Sequence, residues 1–383
     1  MKHFRNRTIG VLCCVTWFCV TAHAQGSVQL YGIIDAGVAH YDGLNGGTAS
    51  APRSVSVTQM VSGGQSPSRI GLHGTESLGA GNSVFFTAET GFCAVGNNQS
   101  GASPSGYCSA EGFMQRQSLV GLSGAYGRIS FGKMYSMNFI DEVRYIDPFH
   151  WGMTGTYSSL SPLFFWGNES KAHLGAIQMV RLNQSIEYAS PVIHGWSGGL
   201  GYVFNAAGSA APGQARSGGV QVALKYQSGR LLLGADYIDL GNLQNFGSGY
   251  ATGSKASNWK VFGGYRFDVA HITGLYQRFT LSSVSGSVES WLLGLSVPLG
   301  ADNLLASAAQ TRSSLWGLAD ARATQLALGV QHRLSKNTDF YGSYAHVSNT
   351  GGSAIAVGDG TSGFLGVPGE SSSGFIVGIR HMF

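Results

Sequence analysis

The sequence predicts an all-β fold, a transmembrane antiparallel β-barrel of about sixteen strands, and three observations carry that prediction. Segments of roughly ten residues alternate apolar and polar positions. Turn signals between the segments alternate in length, short and then long. Charged residues make up only 11% of the chain while glycine appears 58 times, so the surface cannot be the Lys/Glu mosaic of a soluble domain.

The N-terminus stands apart from this pattern. Lys2, Arg5 and Arg7 precede the apolar run IGVLCCVTWFCV, which is too short to span a bilayer as a stop-transfer helix, and Ala22-His23-Ala24 follows as a small-residue cleavage site. A removed signal peptide at 1–24 and a single barrel over 25–383 are expected. The leader takes three of the 23 cations, against 19 acids in all, so the remainder is close to neutral and gives no support to nucleic-acid binding. Cys13, Cys14 and Cys19 leave with it. Cys93 and Cys108 flank a Gly/Ser/Asn-rich loop in a chain exported to an oxidising compartment, so one disulfide is expected, worth about 3 kcal/mol on the chain-entropy account.

The alternation begins at SVQLYGIIDAGVAH, where Val28, Leu30, Ile34 and Val38 share one face and Gln29, Tyr31 and Asp35 the other. In ESWLLGLSVPLG, Trp291, Leu293, Leu295 and Val297 oppose Ser290, Gly294 and Ser296. The final stretch, GFIVGIRHMF, sets Phe375, Val377, Ile379 and Phe383 against Gly374, Gly378 and Arg380. A chain that stops on an apolar strand residue is expected to be anchored in a wall, closing against the first strand, Ser27 to about His40. Short turns are expected at 78–82, 124–127, 227–230, 267–270, 299–302 and 335–338, and long Gly/Ser-rich loops at 41–66, 95–112, 135–180, 206–217, 241–256 and 349–371.

A soluble β-sandwich also alternates, but its outward face meets water and should be polar. Here one face is apolar or aromatic and the other carries Gly, Ser, Gln and Arg, the pattern of lipid outside and a wet lumen inside. Closure removes the strand edges that lipid cannot hydrogen-bond. Segment 135–180 is too long for an ordinary connection and holds Phe139, Tyr145, Phe149, Trp151, Tyr157, Phe164, Phe165 and Trp166, so it is expected to pack against something.

Competing motifs are weak. GWSGG at 195–199 satisfies G-x-S-x-G around Ser197, but that elbow needs a strand, a strained turn and a helix, whereas GGLGYVF continues as a strand. The eleven histidines are scattered without metal spacing, and there is no phosphate-binding loop, so no enzyme, cofactor or metal is expected.

Several stretches together resemble the general porins of Gram-negative bacteria, closest to the Burkholderia and Bordetella type: VQLYGIIDAGV, SRIGLHGTESLGAGNSVFFTAETGF at 68–92, RQSLVGLSGAYGRISFGKMYS at 116–136, RLNQSIEYASP at 181–191 and the terminal GIRHMF. The resemblance implies a homotrimer of sixteen-stranded barrels amid outer-membrane lipid and lipopolysaccharide. It implies a third long loop, 135–180, folded into the lumen, and a terminal Phe383 read by the barrel-assembly machinery. It also places basic residues on the wall, Arg69, Arg116 and Arg181 with Lys133 as a further candidate, opposite loop acids Asp141, Glu142 and Asp147, with Glu169 less central. His73 stands where the pattern has a second basic residue and Ser77 where it has an acid, and the Cys93/Cys108 pair is outside the pattern. The function implied is passive diffusion of ions and small hydrophilic solutes, with a weak anion preference. The alternatives are a substrate-specific channel with a loop-aromatic track, or a hydrolase or adhesin on the same barrel.

Overall fold

A computed structural model describes residues 26–48, 50–96, 113–165, 177–206, 217–242, 253–315, 321–358 and 365–383. The expected signal peptide, Cys108 and Glu169 lie outside them. Sixteen wall strands run antiparallel among the described residues. β1 is Ser27–Asn45, and β2 is interrupted, Ser54–Ser62 and Arg69–Gly79. β3 Asn82–Gly91, β4 Gln117–Gly124, β5 Gly127–Tyr135, β6 Arg181–Ala189, β7 Trp196–Val203 and β8 Gly219–Ser228 follow. β9 Leu231–Leu240, β10 Ala256–Arg266, β11 His271–Leu281, β12 Val288–Leu299, β13 Asp302–Ser313, β14 Ala321–Arg333, β15 Thr338–Thr350 and β16 Ser372–Met382 complete the wall.

The barrel closes where the alternation of the terminal run requires it. β16 pairs with β1 from Ile33↔Met382 to Asp42↔Ser373. Gly32 and Phe383 then exchange both backbone hydrogen bonds, at 2.9 and 3.1 Å. A side chain at position 32 would collide with the Phe383 ring, so glycine there makes room for the aromatic that ends the ladder. Val28, Leu30, Ile34, Val38, Phe375, Val377 and Ile379 all point outward and are exposed, as lipid-facing residues must be.

All six short turns fall where expected. The loop expected at 41–66 does not: β1 and β2 continue as a hairpin as far as Asn45 and Ser54, and the real irregularity is the break in β2 at 63–68. The upper half of β2 pairs with β1 as far as Ala36↔Ser62, and the lower half resumes at Ile33↔Arg69. Six residues therefore loop out opposite Ile34 and Asp35. Asp35 holds them. Its buried carboxylate accepts the backbone N–H groups of Gln65 (2.9 Å) and Ser66 (2.7 Å) and the Tyr341 hydroxyl (2.6 Å), and its backbone bonds Ser68 Oγ and Gly63 N. Tyr341 lies across β16 to reach it, over Gly378 and Gly37, where any side chain would meet its hydroxyl.

The barrel's core is the interior. After β5 the chain forms the short helix α1, Met137–Asp141, a π-turn at Glu142–Ile146 and a 3-10 turn at Tyr157–Ser159. Ser136 caps α1 by accepting the Phe139 N–H (3.1 Å) and ties it down by donating to Met179 O (2.6 Å). Asp35→Ala should lower the stability of the folded barrel by about 3 kcal/mol, because it strands three buried donors at the seam. The urea midpoint in detergent micelles measures this, and Gly26→Ala, exposed and with Thr75 O no closer than 3.9 Å to the added methyl, serves as a control that should not shift it.

Candidate functional site

The lumen site is built from one loop and two stretches of wall. From Ser136 to Leu163 the loop lies against inward side chains of β8 to β15. The Met137 N–H donates to Gln221 Oε1 (2.9 Å), Thr273 Oγ1 donates to Ile146 O (2.6 Å), and the Tyr157 hydroxyl donates to Ser290 Oγ (2.6 Å). Gln325 Nε2 donates to the carbonyls of Gly155 and Thr156 (3.1 and 2.9 Å), and Thr154 Oγ1 lies 2.7 Å from Ser343 Oγ. At its far end Met153 N donates to Gly64 O, inside the β2 break. The loop thus bridges the lumen from β5 to β15 and back.

Its three described acids are spent on that docking or on the loop's own backbone. Asp141 pairs with Lys225 of β8. Glu142 is fully buried: its Oε1 accepts Trp151 Nε1 (2.8 Å) and its Oε2 accepts Gln277 Nε2 (3.2 Å) and lies 3.8 Å from Lys260 Nζ. Lys260 itself is 1% exposed and meets Asp236 at 3.3 Å and Asn138 O at 2.5 Å. Asp147 organises the loop tip by accepting the N–H groups of Phe149 and Trp151 (both 3.0 Å) and Tyr157 (3.2 Å). That bonding holds His150, Trp151 and Met153 at φ of 52°, 60° and 60°, a conformation costly for side-chain-bearing residues unless the surroundings enforce it.

The wall cations form a separate group. Arg116 Nε donates to Glu89 Oε1 (2.9 Å) and Nη2 to the Tyr135 hydroxyl (2.6 Å); Arg69 stands 3.9 Å from Glu89, and Arg181 lies over the Tyr135 ring at 5.3 Å. Tyr31 also donates to Glu89 (3.0 Å), and His73 bonds Thr87 (3.2 Å) on the same face of β2 as Arg69. Arg69, Arg116 and Arg181 are therefore brought together, but around Glu89 and Tyr135, while the loop acids bond Lys225, Lys260 and the loop's own backbone. Lys133 is a correction. It pairs across to Ser118 on the face of exposed Val120 and Phe131 and reaches Gln115 (3.1 Å), so it is directed away from the lumen.

Sequence reasoning missed the other side of this charge arrangement. Among the described loop residues, the charged or titratable side chains left exposed are Arg144 and His150, while every described acid of the loop is buried. Arg144 borders a cavity of about 400 Å³ with Arg128, Lys225 and Glu187, beneath α1. The Arg128 guanidinium sits over Phe85 at 3.6 Å. Lys225 and Lys260 occupy the polar parity of their strands and were legible as lumen residues. Nothing in DEVRYID said which of its charges would face water.

With this geometry in hand, comparison with known proteins is decisive. A family model described as Gram-negative porin matches residues 11–352. The chain belongs to the Gram-negative porin family. It is similar to outer membrane porin protein 32 of Delftia acidovorans, 29% identical with 94% of this chain and 95% of that one covered, and to an outer-membrane porin of Bordetella pertussis, 27% identical with 99% and 100% covered. Among solved structures, an anion-selective porin from Comamonas acidovorans superposes with a TM-score of 0.73 at 27% identity, over 94% of this chain and all of that one. The porin is thus an outer-membrane channel for passive diffusion. The Ser197 motif has no elbow: residues from Trp196 onward run straight into β7, with Ser197 paired across from Lys225.

Two outcomes follow for the docked loop. Lys260→Met leaves Glu142 and Asp236 buried without their cation and should loosen the loop, seen as faster trypsin cleavage at Arg144 in the folded porin. Burial pushes the Glu142 carboxyl up to about 7 despite Lys260 and its hydrogen bonds. A carboxyl raised in the folded state stabilises docking fully below its ordinary value near 4.5 and loses that contribution as pH rises through about 7. Cleavage at Arg144 should therefore be slower at pH 5.5 than at pH 8 once trypsin's own pH dependence is corrected with an unfolded substrate, and a smaller difference in Glu142→Gln is the matching expectation, because burial raises the Asp147 carboxyl of the same loop as well.

Proposed function

We propose that this porin is an anion-favouring general diffusion channel whose constriction lies between the docked loop and the wall around Arg69, Arg116 and Arg181. The observation that carries the reading is the division of charge on the loop: its carboxylates are consumed by Lys225, Lys260 and its own backbone, and Arg144 is left facing the water. Charges in a narrow, partly dehydrated lumen act more strongly than in bulk solution, so a small excess of cation over anion decides the sign of selectivity. The similarity to a porin named as anion-selective points the same way.

The same reading includes a signal peptide at 1–24, a homotrimer and an assembly signal at Phe383. A solved relative of this fold is described as a trimer form, which supports the second. Cys93 is disulfide-bonded, and Cys108 is the partner we assign to it.

Planar-bilayer recording tests the proposal. The wild type should show stepwise ohmic conductance and a chloride-directed reversal potential in a KCl gradient. Arg144→Glu should lower the chloride-to-potassium permeability ratio roughly 3- to 10-fold at low salt, the effect fading toward 1 M as screening shortens. A potassium-directed wild type would overturn the assignment of sign, and an unchanged ratio in Arg144→Glu would remove Arg144 from the constriction.

A further inference from the structure

A side cavity of about 400 Å³ lies between the loop and the wall from β4 to β8, within the range of about 300–1,000 Å³ usual for small-molecule sites. It runs from Tyr135, the partner of Arg116, down to Arg128 and Ser190 beside the short turns. The loop covers it with Met137, Ile140 and Tyr145, and Leu119 of β4 faces them from the wall. Leu119 has the inward parity, since its neighbours Ser118 and Val120 are both exposed. Gly199 of β7 keeps the wall hollow at this point, because a side chain there would collide with Met137 Sδ. A slot lined in this way gains free energy by taking a ring or a branched hydrocarbon out of water.

The charges at its edge specify the other half of the ligand. Among the described residues that line the cavity, Arg128, Arg144 and Lys225 carry three positive charges against two negative ones on Asp141 and Glu187, an excess of one cation. Both acids are already engaged. Asp141 contacts Lys225, whose ammonium lies over the Tyr145 ring at 4.7 Å, and Glu187 accepts Gln221 Nε2 (3.1 Å). Arg144 from the loop and Glu187 from β6 both lie close enough to act on the Arg128 charge. Arg128 stacks over Phe85 at 3.6 Å, so its guanidinium plane is oriented before any solute arrives. Guanidinium groups bind carboxylates in two-point fashion. We propose that this cavity is a subsite for a small monocarboxylate with an apolar body, aromatic or branched, which sets its carboxylate on Arg128 and Arg144 and its hydrocarbon between Leu119, Met137 and Ile140. A second carboxylate would meet Glu187 and Asp141, which selects against dianions. The subsite retains such solutes after the constriction and makes their flux saturable. It rests on the channel reading, with which it shares Arg144.

The test is block of single-channel current through the refolded full barrel at low salt and neutral pH, with benzoate, acetate, phthalate and benzyl alcohol as probes. Benzoate should block saturably, with a half-blocking concentration about 10-fold below that of acetate, the gain coming from the buried ring. Phthalate should block no better than benzoate, and neutral benzyl alcohol should block less well. Arg128→Gln should raise the half-blocking concentration of benzoate about 5-fold, and Leu119→Thr should narrow its advantage over acetate to about 3-fold. Arg266→Gln, which removes a cation lining a different cavity, should be blocked as wild type. Absence of block, equal block by benzoate and acetate, tighter block by phthalate, or an unchanged benzoate value in Arg128→Gln would each overturn the subsite. The reversal potential in a salt gradient is recorded on the same channels without probe. A potassium-directed potential with the benzoate preference kept would sink the channel's assigned sign alone, and a chloride-directed potential without that preference would sink the subsite alone. Heat-modifiable mobility on gels reports whether each variant folds, and the four-probe comparison on wild type decides the matter without them.

Discussion

A buried ammonium sets the terms for the rest of the molecule. Lys260 comes from the wall, sits out of contact with water, and meets one carboxylate from the wall, Asp236, and one from the loop, Glu142. A charge in that position is tolerable only while its partners stay. The loop is therefore not an ornament laid in the lumen: through Glu142 and the Asn138 carbonyl it supplies part of the polar shell on which that wall residue depends. Its remaining bonds, from Gln221 and Thr273 to Ser290, Gln325 and Ser343, extend the same dependence around half the barrel.

On the proposed reading, docking of this kind determines the electrostatics of the pore. Each loop acid that binds the wall is lost to permeating ions, and each wall lysine that binds the loop is lost as well. What remains is set by residues with no role in docking, Arg144 on the loop and the partly compensated Arg69, Arg116 and Glu89 cluster on the facing wall. The closure seam supports the same design from below. Asp35 pins the β2 break, and the break in turn receives the loop tip through Gly64, so seam, kink and loop form one connected unit.

The strands were legible because a barrel in lipid leaves no freedom: period-two alternation must hold in every strand, and the terminal GFIVGIRHMF closed on β1 as its parity required. The first hairpin was misplaced because SVSVTQMVS, itself alternating, is framed by glycine and serine that resemble loop composition. The site was legible only in part. Parity assigns a face: it puts Arg69 on the side of Gly71 and His73, and it puts Lys133 on the side of exposed Phe131, so the family resemblance and not the alternation had placed Lys133 in the pore. The loop partners of Lys225 and Lys260 arrive from more than 80 residues away and those of Asp147 from the loop's own backbone, and no local pattern encodes such a meeting.

The central claim is that the loop is permanently docked across the lumen in the conducting state. Its most direct test is single-channel conductance of Thr154→Cys/Ser343→Cys before and after oxidation, since these side chains already touch across the loop-wall contact. The account predicts that the engineered disulfide forms and that conductance and ion preference are the same oxidised and reduced. A fall in conductance on oxidation would show that the open channel holds the loop elsewhere, and would contradict it.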